Sequence, residues 1–69
     1  MAIIKKSLGK KIARLRKERG LSQEKLGWEV GINRGYIGFI ERGLRNPSVP
    51  ALMKLAKALK VSLDGLFRN

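Results

Sequence analysis

The chain has 69 residues, no cysteine and no histidine, and carries sixteen lysines and arginines against five acids, for a formal charge of +11. That length holds one small domain with a thin core. No disulfide or thiolate–metal site can staple it, and five scattered carboxylates (Glu18, Glu24, Glu29, Glu41 and Asp64) form no catalytic or metal-binding constellation, so an enzyme is not expected. So strong a field on so small a body favours an anionic partner, nucleic acid before an acidic membrane surface, with a purely solubilising surface as the plain alternative.

Residues 1–6 read as a short flexible lead. Ser7 then stands as a helix cap, followed by Leu8, Ile12 and Leu15 at steps of four and three, which share one face of a first helix over about 7–19. Gly20 supplies its stop. Eight of the sixteen basic residues fall within the first nineteen positions, so the field is concentrated at this end.

Ser22 caps a second helix in which Glu24 suits the positive end of the dipole and Leu26 and Val30 point inward, up to Gly31. Asn33 caps a third, from Arg34 to Arg42, with Ile37 and Ile40 inward and Gly43 as stop. Asn46-Pro47 marks a turn. Ser48 caps a fourth helix that tolerates Pro50 in its first turn and turns Leu52, Leu55, Ala56 and Leu59 to one side. Ser62 opens a short fifth with Leu63, Leu66 and Phe67. There is no alternating strand pattern, repeat or linker. The expectation is an all-α domain of five helices over residues 1–69, organised around two short helices and a glycine turn at about 22–42.

Gln23, Leu26, Gly31, Ile37 and the run Ile40-Glu41-Arg42-Gly43 resemble the phage repressor and Cro-type helix-turn-helix family. Leu15-Arg16, Asn46-Pro47-Ser48 and Val61-Ser62-Leu63 extend the similarity over roughly residues 8–67. The resemblance implies a compact lambda-repressor-like domain that binds double-stranded DNA, commonly as a homodimer. Small stand-alone regulators, including restriction–modification controllers, have a similar length. This chain departs from the pattern at Gly27, where the family usually has alanine. Gly35 and Gly38 also lie inside the third helix, each costing about 0.8–1 kcal/mol of helix propensity relative to alanine. Either these glycines let the helix approach DNA closely, or the helix packs loosely around Tyr36 and Phe39.

In such a unit the second helix enters the major groove and its first residues meet base edges. Arg34 is the leading base reader: its fork donates two bonds to guanine O6 and N7, worth roughly 1–3 kcal/mol of discrimination. Contact with phosphate alone is its alternative. Gly35 and Phe39 follow on the same outer face, which the resemblance makes base-facing; Phe39 offers only apolar contact, to a thymine methyl or a sugar, and partial packing against a neighbouring helix is its equal alternative. Asn33 either caps the helix or reaches DNA. The expected backbone contacts are Gln23, carried over from the family and supported by the free N–H groups of a helix start, with Tyr36, Arg42, Arg45, Asn46 and Lys10. Arg16 and Glu41 resemble the family's structural ion pair between the first and third helices. Trp28 is expected to pack, on a lysine stem or over the core edge, with contact to a partner as the alternative.

A single short reading helix specifies too few bases, which a two-fold dimer on half-sites about one helical turn apart would remedy. Leu63, Leu66 and Phe67 form the expected dimer surface unless the core claims them. The leading reading is a sequence-specific, cytoplasmic transcriptional regulator acting as a homodimer on a palindromic operator. An antitoxin-like protein-binding module with accessory DNA binding is the second, and a charge-driven, non-specific binder the third. No apolar run reaches the roughly 20 residues that span a bilayer. No cofactor, metal, membrane partner or small-molecule ligand is expected.

Overall fold

The computed structural model describes residues 4–68, with side chains from Lys6 onward. Among them run four α-helices, α1 (Ile4–Glu18), α2 (Gln23–Val30), α3 (Arg34–Glu41) and α4 (Val49–Ala58), followed by a single 3-10 turn at Asp64–Leu66. No strand occurs among the described residues, and no helix is long and apolar enough to cross a membrane.

The first helix starts earlier than its sequence suggests. Ser7 is an exposed interior residue of α1 rather than its cap, and residues 4–6 are helical; residues 1–3 of the expected flexible lead lie outside the described residues. Nothing at 4–7 breaks a helix, and serine inside one costs only a fraction of a kcal/mol, about 0.7 at most. The other caps are local and take the form their side chains dictate. Ser22 Oγ accepts from Lys25 N at 2.9 Å, Asn33 Oδ1 from Gly35 N at 2.7 Å, and Ser48 Oγ from Ala51 N at 3.2 Å. Where a fifth helix was expected, Ser62 Oγ accepts from Gly65 N at 2.9 Å and the backbone makes one 3-10 turn.

The inward faces meet in one core: Leu8 and Ile12 of α1, Leu26 and Val30 of α2, Ile37 and Ile40 of α3, Leu55, Ala56 and Leu59 beyond, and Leu66 of the terminal turn. Each large aliphatic buried there contributes about 1.5–3 kcal/mol. Two sequence expectations fail at this level. Leu66 is only 1% exposed and belongs to the core, because the 3-10 turn docks it towards α1, so it is not available to a dimer surface. Trp28 is 71% exposed: it lies about two residues' rotation from Leu26, on the side of α2 that faces away from the core.

α3 packs against both α1 and α2, which fixes its orientation. Between α2 and α3, Gly31 takes φ +71° and closes α2, and Ile32 N donates to Gly27 O at 2.9 Å. A left-handed residue at this point suits glycine, which has no Cβ to clash. Two other glycines set helix spacing. A Cβ on Gly27 would collide with the Ile32 carbonyl, so the alanine usual in the family does not fit this turn. A Cβ on Gly9 would meet the carbonyl oxygens of Ile40 and Glu41, the latter at 2.7 Å, so α1 passes the end of α3 at backbone contact.

Candidate nucleic-acid interface

The side chain that ties this arrangement together is Glu41, at the last residue of α3. Arg16 of α1 donates to it twice, Nε to Oε2 at 2.6 Å and Nη2 to Oε1 at 3.1 Å, and its remaining Nη1 donates to the Leu21 carbonyl at 2.7 Å. Gln23, the first residue of α2, donates Nε2 to Glu41 Oε1 at 3.0 Å. The two charged side chains are 10% and 7% exposed. Planar, bidentate geometry with each guanidinium nitrogen donating is the form in which a desolvated ion pair is worth keeping. Three helices are thereby locked at one point, directly behind the outward face of α3.

That face forms the wall of an open cleft between the start of α2 and the length of α3. Gln23, Arg34, Gly35, Gly38, Phe39 and Arg42 line it, with Ser22 and Glu24 at its edge and Arg16 at its floor. Gly35 is exposed, and Gly38 leaves ordinary van der Waals room towards the side chains of Arg42 and Gln23. Gly38 itself is buried beneath those two side chains, so the open backbone of the face is at Gly35, with Arg34 beside it and Phe39 and Arg42 at the other end. The Arg42 guanidinium lies over the Phe39 ring, 5.3 Å from its centroid, a cation–π contact.

The remaining expected contacts divide. The Tyr36 hydroxyl donates to the Asn46 carbonyl at 3.2 Å, joining α3 to the loop before α4, so both residues are already engaged with each other. The Asn33 side-chain oxygen is committed to its cap, leaving only its amide nitrogen outward. Arg45 is exposed on the loop and Lys10 on α1, and neither lines the cleft. Leu63 and Phe67 stay exposed beside the buried Leu66.

Reasoning on the sequence missed three features. The Phe39–Arg42 stack was within reach, since residues three apart on a helix are neighbours. The Gln23–Glu41 bond and the Gly9 contact join positions far apart in the chain and had no local signal.

The electrostatics sharpen the site. Four of the five acids pair with arginines: Glu18 with Arg14, Glu29 with Arg19, Glu41 with Arg16 and Asp64 with Arg68. No ion pair involves Arg34, Arg42 or Arg45 among the described residues, so their charge is presented outward.

A short capped helix, a glycine turn and a second helix with an open basic face define a helix-turn-helix unit. The helix-turn-helix family model matches residues 12–66, and the chain belongs to that family. It is 46% identical over 59 residues to the HTH-type transcriptional regulator y4dJ of Sinorhizobium fredii, covering 86% of this chain and 77% of that one. Among solved structures, the restriction–modification controller protein C.AhdI of Aeromonas hydrophila superposes with a TM-score of 0.88 at 40% identity, covering 97% of this chain and all (100%) of that one. The P22 c2 repressor, bound to a synthetic operator, superposes with a TM-score of 0.84 at 34% identity, covering 88% and 92%.

Proposed function

We propose that this helix-turn-helix protein, a DNA-binding transcriptional regulator, acts as a homodimer on a palindromic operator, with α3 in the major groove. The observation that carries the reading is the outward face of α3: an exposed arginine at its first residue, an exposed glycine beside it at Gly35, and the exposed Phe39 and Arg42 further along the same cleft. Arg34 donates bidentately to guanine there. Gly35 lets the helix backbone come close, Phe39 makes apolar contact with a base, and the free amide nitrogen of Asn33 reaches the groove edge. Gln23, Arg42, Arg45, Asn46, Lys10 and the Tyr36–Asn46 pair hold the phosphate backbones on either side, and their count sets the salt dependence.

The dimer is supported by the apolar side chains left outward on α4 and around the terminal turn, Val49, Met53, Leu63 and Phe67. The operator complex of the P22 c2 repressor, a relative in fold and sequence, also favours duplex DNA as the partner.

The test is selection from a random duplex library at about 150 mM salt with competitor DNA, where non-specific binding is weak. Enrichment of a palindrome with guanine at one position per half-site supports the proposal. A folded protein that enriches nothing refutes it, and transfers the function to a protein-binding module.

A further inference from the structure

We infer that Phe39 and Arg42 together form a reader of a pyrimidine C5-methyl group, which makes Phe39 a specificity-determining residue of the same interface; the inference rests on the DNA-binding reading above. On the outward face of α3 the side chains are Arg34, then no side chain at Gly35 and Gly38, then Phe39 and Arg42, all lining one cleft. Phe39 is the large apolar group of that face and stands 41% exposed, although a ring this size is ordinarily covered. The Arg42 guanidinium lies over one face of it, 5.3 Å from the ring centroid. That contact occupies one face of the ring, while the Arg42 side chain, exposed and in no ion pair among the described residues, keeps guanidinium N–H donors suited to a phosphate.

What is left for a ligand is an apolar ring edge and face, on the same cleft as the exposed Gly35, whose missing side chain lets a base edge approach. In the major groove the one apolar feature a base pair presents is the C5-methyl group, carried by thymine or by 5-methylcytosine. Hydrogen-bonding edges gain nothing from a phenyl ring, and leaving them unpaired against it is penalised. The occupant is therefore a methylated pyrimidine, placed a few bases from the guanine read by Arg34 at the other end of the cleft.

The test uses the full chain and the duplex enriched in the selection. Each thymine of a half-site is replaced singly by deoxyuridine, which removes the methyl and no hydrogen-bonding group, and affinity is followed by fluorescence anisotropy. In parallel, each cytosine is replaced by 5-methylcytosine. One thymine position should lose about four-fold in affinity on demethylation, the loss expected for one buried methyl group. If the reader faces a cytosine instead, methylation there should raise affinity by a similar factor. Phe39→Ala, its helix content checked by circular dichroism, should bind the methylated and unmethylated duplexes alike, whereas Phe39→Leu, still apolar, should keep part of the preference.

Two results overturn the inference. One is wild-type protein that ignores every methyl change yet still prefers the selected duplex to a scrambled one, which leaves the DNA-reading function standing. The other is a methyl preference unchanged in Phe39→Ala. Selection that enriches no duplex removes the DNA-reading function and this inference with it.

Discussion

Replacing Glu41 by alanine isolates the ion pair behind the recognition face. In the folded chain Arg16 would keep a guanidinium with side-chain exposure of 10%, having lost both bonds to the carboxylate, while Gln23 loses its acceptor. An uncompensated charge left in such a place costs about 3–5 kcal/mol. A domain of this size has a total stability of roughly 3–10 kcal/mol, so the loss consumes much or all of it. At about 4–8 °C per kcal/mol for a small domain, the melting midpoint should fall by about 12 °C or more. The double variant Arg16→Met/Glu41→Leu removes both charges together and should recover most of the loss, to within about 1–2 kcal/mol of the parent, since apolar replacement of a buried pair is often neutral. Urea titrations followed by far-ultraviolet circular dichroism on the parent, Glu41→Ala, Arg16→Met, Glu41→Leu and the double variant measure the loss and close the cycle. A loss below about 1 kcal/mol in Glu41→Ala would mean the pair behaves as a solvated one, and the argument from burial would be wrong.

Gly9→Ala gains about 1 kcal/mol of helix propensity but drives a methyl into two backbone carbonyls that cannot rotate away; a net loss of roughly 2 kcal/mol in urea is expected, and an unchanged or raised midpoint would disprove the close contact. Lys60 sits at φ +60° at the end of α4. Lys60→Gly should therefore stabilise by about 0.5–1 kcal/mol, the left-handed cost relieved less the extra freedom of an unfolded glycine, visible as a higher melting midpoint. Arg34→Ala, at an exposed residue outside the core and its ion pairs, should leave the melting curve in place. It should relax one base position of the selected site by roughly 1–3 kcal/mol; equal weakening on all sequences would instead assign Arg34 to phosphate.

How much of this was legible beforehand follows from the range of each interaction. Ser22, Asn33 and Ser48 mark helix starts through bonds to backbone two or three residues away, and so α2, α3 and α4 could be read directly. Ser7 carries the same residue type without the cap, because the chain before it is equally able to be helical. The terminal segment shows the opposite failure. Leu63, Leu66 and Phe67 have helical spacing, but which of them is buried depends on docking towards α1, a contact more than forty residues away in sequence. Packing of Trp28 was the avoidable expectation: its angular position relative to Leu26 and Val30 already turned it outward. Of the interface, the charged and aromatic types on α3 could be named from the chain. The cleft they share could not, since it is shaped by Gly27 against Ile32, Gly9 against Ile40, and Gln23 reaching Glu41.

The pairing of acids with arginines has a further consequence for how the protein responds to its medium. The one pair on which the fold leans heavily is shielded from ions, while the exposed pairs contribute little to begin with. The cationic groups of the interface, by contrast, act through solvent. Ionic strength therefore works as a dial on occupancy alone: added salt releases the protein from its duplex intact, and dilution returns it, with no refolding step in between.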